Sequence, residues 1–152
     1  MQSPTTGISN RGAGEKILVV QTSFLGDVIL TTPLLAEVRR RFPEALLAVL
    51  CTPQAEGLLE GNPDIDEVIV DDKRRGGFRA LRTMAAHLRQ RRFTVALSPH
   101  RSLRTALLLY LAKIPCRIGF RQSAGWFLFH RRVERDSRRH DVDRNLSLLE
   151  AW

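Results

Sequence analysis

A single acid, Asp27, stands in the glycine turn TSFLGD between the apolar run ILVVQ and the helical run VILTTPLL. A carboxylate so placed does one of two things. It caps the helix that follows, with Thr22 and Ser23 shaping the turn, or it faces a pocket as a working base. The residue types alone leave both open. The turn makes a poor phosphate loop, because it holds one glycine, Gly26, and its acid competes with a phosphate for the positive end of the helix. His87, His100, His130 and His140 lack metal-ligand spacing, so no metal site is expected. Cys51 and Cys116 are too few for a disulfide framework, and their apolar contexts predict buried thiols.

The second chemical signal is charge. Lys and Arg number 24 against 16 Asp and Glu, a net charge of +8. From Lys73 to Val133 there are fifteen basic residues and no acid, whereas the first 72 residues hold eleven of the acids. A genomic preference for Arg over Lys explains the choice of cation but not the missing acids. The pattern predicts one strongly positive region with a polyanionic partner. No recognised nucleic-acid module or interleaved aromatic platform is visible, so no specific nucleic acid is expected. A non-catalytic basic α/β domain binding nucleic acid or anionic lipid is the alternative to an enzyme.

The elements that must hold these residues follow from periodicity. Apolar, β-branched runs at 16–21, 46–51, 67–71 and 94–97 predict strands, with 117–119 as a fifth and 127–133 as a sixth. Helices are expected to about residue 41 after the TSFLGD turn, over 53–60, 78–91 and 101–113, and from His140 or Asp141 onward. Pro33 predicts a late start or a kink in the first helix. The inner face of the third is assigned to Leu81, Met84, Ala85 and Leu88. Such alternation implies α/β class, a doubly wound, mainly parallel Rossmann-like sheet. Ligands then gather outside the carboxyl ends of the strands, where the TSFLGD, CTPQ, DDKRRGG and SPHRS loops meet. Residues 1–14 read as a disordered tail without a secretory signal and 15–152 as the domain. The last helix has no stop signal, which suggests a second domain that belongs with this one, with a self-contained small domain as the alternative. Trp126–Phe129 is assigned to the core, with a membrane-touching ridge as the other option. Arg89, Arg91 and Arg92 read as a solvated helix end.

Beside this reading stands a resemblance. ILVVQTSFLGDVILTTPLL resembles the N-terminal signature of the lipopolysaccharide heptosyltransferases, glycosyltransferase family nine, which have the two-domain GT-B fold. RRFPEALLAVLCTPQAEGLLEGNPDIDEVIVDD is similar to that family's second strand, helix and third strand. The segment through IPCRIGFR resembles its I-P-x-R-I-G-F motif, and RRHDVDRNLSLL its H-x-V-E-R-N-L helix. Two positions depart from the family, Asp143 where Glu is common and Lys113 where Gly is common.

The resemblance implies the acceptor-side domain of an inverting glycosyltransferase that moves heptose from ADP-heptose to the Kdo/heptose inner core of lipopolysaccharide. Asp27 matches the family's acid in the S-x-x-G-D turn, its proposed general base. Thr22, Ser23, Gly26, Arg74, Arg75, His100, Arg101, Arg104 and Arg121 are then the substrate-binding candidates, with the arginines placed for the acceptor's carboxylates and phosphates. No cofactor is implied. The donor ADP-heptose is expected to bind mainly to a C-terminal domain that this chain lacks. A cytoplasmic location is expected, with a peripheral approach to the anionic inner face of the inner membrane.

Overall fold

The computed structural model describes residues 13–152. The expected tail lies outside the described residues except for Ala13 and Gly14, which form a turn. Strands β1 (Lys16–Gln21), β2 (Leu46–Cys51), β3 (Glu67–Val70), β4 (Val95–Ser98), β5 (Cys116–Phe120) and β6 (Arg131–Val133) form one sheet in the order β3-β2-β1-β4-β5-β6. Every neighbouring pair is parallel, with Ile17 opposite Leu47 on one side of β1 and Val95 on the other. The chain winds outward both ways from β1 and β4, so the topological switch point lies between them.

Apolar residues on consecutive positions cover both faces, as the continuous runs predict. Ile17, Val19, Val49 and Leu97 face one core with α1 (Leu25–Arg41), α2 (Pro53–Leu59) and α5 (Asp141–Ser147) on that side. Leu18, Val20, Leu50 and Ala96 face the other, under α3 (Gly77–Arg91) and α4 (Leu103–Leu111). On α3 the buried residues are Leu81, Ala85 and Leu88, with Met84 half-buried at the margin. Cys51 is buried, and burial followed by the nearby Glu56 charge pushes its thiol up to about 11. Cys116 is only half-buried.

Three boundaries differ from expectation. Helix α1 starts at Leu25 and runs through Pro33, so Gly26 and Asp27 lie in its first turn. Proline cannot bond the Ile29 carbonyl, and the Thr32 hydroxyl donates to it instead at 2.7 Å. The sixth strand shrinks to Arg131–Val133, because Trp126–Leu128 turns as a 3-10 helix and Phe129 folds inward. Only glycine fits opposite that ring: a Cβ on Gly119 would stand 2.4 Å from Phe129. The last helix begins at Asp141 as expected but stops at Ser147, tightening into a 3-10 turn over Leu148–Ala151 that buries Leu148 and Leu149.

Candidate active site

The carboxyl edge carries the expected loops, and the helix start decides what Asp27 does there. The N-cap of α1 is Phe24, and no side chain caps the helix. Asp27 therefore does not cap the helix as the bland reading required, although the helix N-terminus still favours its charge. Its Oδ2 accepts a hydrogen bond from the Ser23 hydroxyl at 2.7 Å. Its other oxygen has no protein donor among the described residues. The carboxylate lines a polar cleft of about 270 Å³ together with Gln21, Pro99, Arg101 and Arg135. Helix α5, packed against α1, adds Asp141 and Asn145 to the wall, and the Asn145 amide holds the Leu30 carbonyl at 3.1 Å.

His100, from the β4 exit, shares this cleft. The hydroxyls of Thr22 and Thr105 both lie 3.0 Å from its Nδ1. Ser102 accepts from the Thr105 N–H and donates to the Thr105 hydroxyl, so the Thr105 proton is free for Nδ1. That assignment leaves the imidazole proton on Nε2, which has no protein partner among the described residues. Burial, then the Lys73 cation, pushes the ring's pKa down to about 4, with Asp27 opposing and Arg101 adding to the shift. The ring is neutral at pH 7.

A second, more apolar cleft of about 320 Å³ opens on the other side of the TSFLGD turn, bounded by Phe24, Pro53, Gln54, Lys73 and Arg74 and again by His100. Below it the buried Asp71 carboxylate accepts from Arg104 Nη1 at 2.7 Å, tying the β3 exit to α4. Lys73 Nζ donates to the Thr22 carbonyl at 2.6 Å. These contacts join three loops across the switch point and fix the turn that carries Asp27.

The sequence-derived candidates divide accordingly. Asp27, Ser23, His100 and Arg101 meet in the first cleft, and Thr22, Ser23, His100 and Arg74 in the second. Thr22 is buried and reaches the site through His100. Arg104 is engaged with Asp71, while the side chain of Arg75 is 90% exposed beside Asp72. Gly26 has no close neighbour on its Cβ side, so the fold itself does not require a glycine there. Arg121 is exposed at the end of β5 and lines neither cleft. Sequence reasoning missed Lys73, Arg135, Asp141 and Asn145. Lys73 stood in the singled-out KRR run and Asn145 in the quoted RNL segment, but nothing local signalled their contacts across 51 and 115 residues. Among the described residues no cluster of three His, Cys, Asp or Glu is arranged to hold a metal.

Comparison with known proteins gives this edge a lineage. Residues 81–152 match the family model described as glycosyltransferase family 9 (heptosyltransferase). Over 108 residues the chain is 30% identical to lipopolysaccharide heptosyltransferase 2 of Salmonella typhimurium, covering 70% of this chain and 31% of that protein. The chain is related to glycosyltransferase family 9 over these residues. Solved structures of this family agree in fold. A family 9 glycosyltransferase from Veillonella parvula superposes with a TM-score of 0.80 at 26% identity, over 91% of this chain and 41% of its own. The Escherichia coli ADP-heptose lipopolysaccharide heptosyltransferase II gives 0.77 at 27% identity, over 88% and 39%. The chain thus spans about a third of the curated relative and about two fifths of these structures. Its Rossmann-like architecture is that of the N-terminal domain of a GT-B enzyme, as the resemblance implied.

Proposed function

We propose that this chain is the acceptor-binding half of an inverting heptosyltransferase, with Asp27 as general base. The carrying observation is the Asp27 carboxylate itself: one oxygen is held by Ser23, the other has no protein donor among the described residues, and the residue lines an open polar cleft. In the reaction an acceptor hydroxyl attacks the anomeric carbon of ADP-heptose. Its C–O bond forms as the bond to ADP breaks, and its proton passes to Asp27. A positioned base contributes about 10²–10⁴-fold to such a step. The same negative charge stabilises the positive charge that develops on the sugar ring.

The neutral His100 donates Nε2–H to an acceptor oxygen, and Arg101 and Arg74 meet carboxylates or phosphates of a Kdo-type inner-core acceptor. The open space beside Gly26 admits the sugar close to the α1 backbone. No cofactor takes part, and ADP-heptose is held mainly by a partner domain of the kind the relatives' greater length provides. The acceptor's lipid anchor places the protein at the anionic cytoplasmic face of the inner membrane. A plain polyanion-binding domain would account for the acid-free stretch but leaves Asp27 without a role.

The test joins this chain to a family 9 C-terminal domain and follows transfer from ADP-heptose to a Kdo-containing acceptor. Transfer with inversion supports the reading. Tight, steeply salt-dependent binding to duplex DNA, with no transfer, overturns it.

A further inference from the structure

Four of the five exposed large apolar side chains of the acid-free stretch lie on α4 and the 3-10 turn, and the fifth, Phe78, stands at the start of α3. On α4, Leu103, Leu107 and Tyr110 follow at helical spacing, and Leu103 and Tyr110 stand 48% and 50% exposed. Beside them the 3-10 turn presents Trp126 and Phe127, at 48% and 56%. This exposure is built into the backbone. Phe129 is buried beneath Gly119, which turns its two aromatic predecessors outward. Gly125 lets the turn press onto α4, since a Cβ there would meet the Ala106 methyl at 2.3 Å.

Cations surround this ridge. The Arg132 guanidinium lies 4.9 Å above the Trp126 ring, and Arg117 lies 5.3 Å above Tyr110. Lys113 is exposed at the end of α4, whereas Arg131 points to the other face of the sheet and donates to the Ala151 carbonyl at 2.9 Å. None of the residues between Lys73 and Val133 is acidic, so α4, the 3-10 turn and the crossover into β6 contribute positive charge alone. The next acid along the chain is Glu134. A ridge of Trp, Tyr, Phe and Leu skirted by arginines matches the apolar boundary and anionic headgroups of a bilayer surface. A protein partner would be expected to meet a mixture of charges instead. No helix among the described residues is long and apolar enough to cross a membrane, so the contact is superficial.

We propose that the face formed by α4 and Trp126–Phe127 docks on an anionic lipid surface. It rests on the membrane approach proposed above and assigns that approach to named residues. The geometry also joins it to chemistry: the Arg101 carbonyl accepts from the Ala124 N–H at 3.1 Å and the Ser123 hydroxyl at 3.2 Å. The ridge is therefore fixed to the lip of the Asp27 cleft, and a lipid-borne acceptor reaches that cleft from the surface on which the protein sits.

Fluorescence tests this directly, because the chain has two tryptophans and Trp152 is stacked on Phe42 away from the ridge. In Trp152→Phe the remaining indole is Trp126. Vesicles of phosphatidylethanolamine with phosphatidylglycerol should shift its emission to the blue, and brominated acyl chains should quench it. Vesicles of phosphatidylcholine alone should do neither. Removing Lys113 and Arg132 together (K113Q/R132Q) should weaken vesicle binding by more than tenfold, about fivefold for each cation. The charge-matched pair R40Q/R41Q, on α1, should leave it within about twofold of the parent. Equal losses in both pairs, or no quenching by brominated lipid, overturn the assignment. A blue shift that depends on protein concentration without lipid would overturn it in favour of self-association. Transfer to a delipidated acceptor does not depend on this face, so its failure would count against the catalytic reading alone.

Discussion

At the scale of single residues, His100 carries a pH signature. Its folded pKa of about 4 lies below the ordinary 6.5. On acidification the unfolded chain therefore takes up a proton that the folded chain refuses. The stability contributed by the neutral ring is complete above about pH 6.5 and is lost progressively as pH falls towards 4. Urea midpoints of wild type and His100→Gln between pH 7 and pH 4.5 should show the steeper loss in wild type, and parallel curves would refute the buried neutral ring. The arginines make a second contrast. Arg104→Ala strands the buried Asp71 charge and should cost about 3 kcal/mol in denaturant unfolding. Arg101→Ala removes a side chain without an ion pair among the described residues, and should stay within about 0.5 kcal/mol while weakening acceptor binding. The sequence placed both arginines at the ligand edge but could not separate them, because the difference lies in Asp71, which is 33 residues away in the chain.

At the scale of elements, periodicity located every strand and helix, since two-sided burial leaves continuous apolar runs and one-sided burial leaves helical stripes. The misses occurred where a tertiary contact overrode local preference. Pro33 argued for a late α1, yet the Thr32 hydroxyl supplies the missing donor and the helix begins early enough to place Asp27 inside it. The 127–133 run has strand composition, but packing of Phe129 on Gly119 breaks it into a turn and a short strand. Lys113, where the family commonly has glycine, follows α4 with φ of 54°, a left-handed conformation that a Cβ penalises. Lys113→Gly should relieve that strain. We expect a gain of up to about 1 kcal/mol, measured as a raised denaturant midpoint at unchanged slope, after the added freedom of the unfolded chain is set against it. A lower midpoint would mean that the lysine side chain contributes more than its backbone costs.

At the scale of the whole molecule, charge asymmetry and fold act together. The switch point sets Asp27, His100 and Arg101 on one edge, while the acid-free stretch of the chain builds the basic, aromatic flank beside it. The asymmetry was legible from composition. Its division into a cleft lip and a surface ridge was not, because it depends on which side of the sheet α4 and β6 pack. What remained open from residue types alone was whether Asp27 caps a helix or serves as a base. Phe24 is the N-cap of α1 and no side chain caps it, and the base is the role we propose. The deciding measurement is made on this chain joined to a family 9 C-terminal domain, comparing single-turnover transfer and the unfolding midpoint in wild type and Asp27→Asn. The account predicts a rate lower by at least about 10²-fold with folding stability and acceptor binding nearly unchanged. A variant that keeps its rate and loses about 1 kcal/mol of stability, as a removed helix cap would, contradicts it.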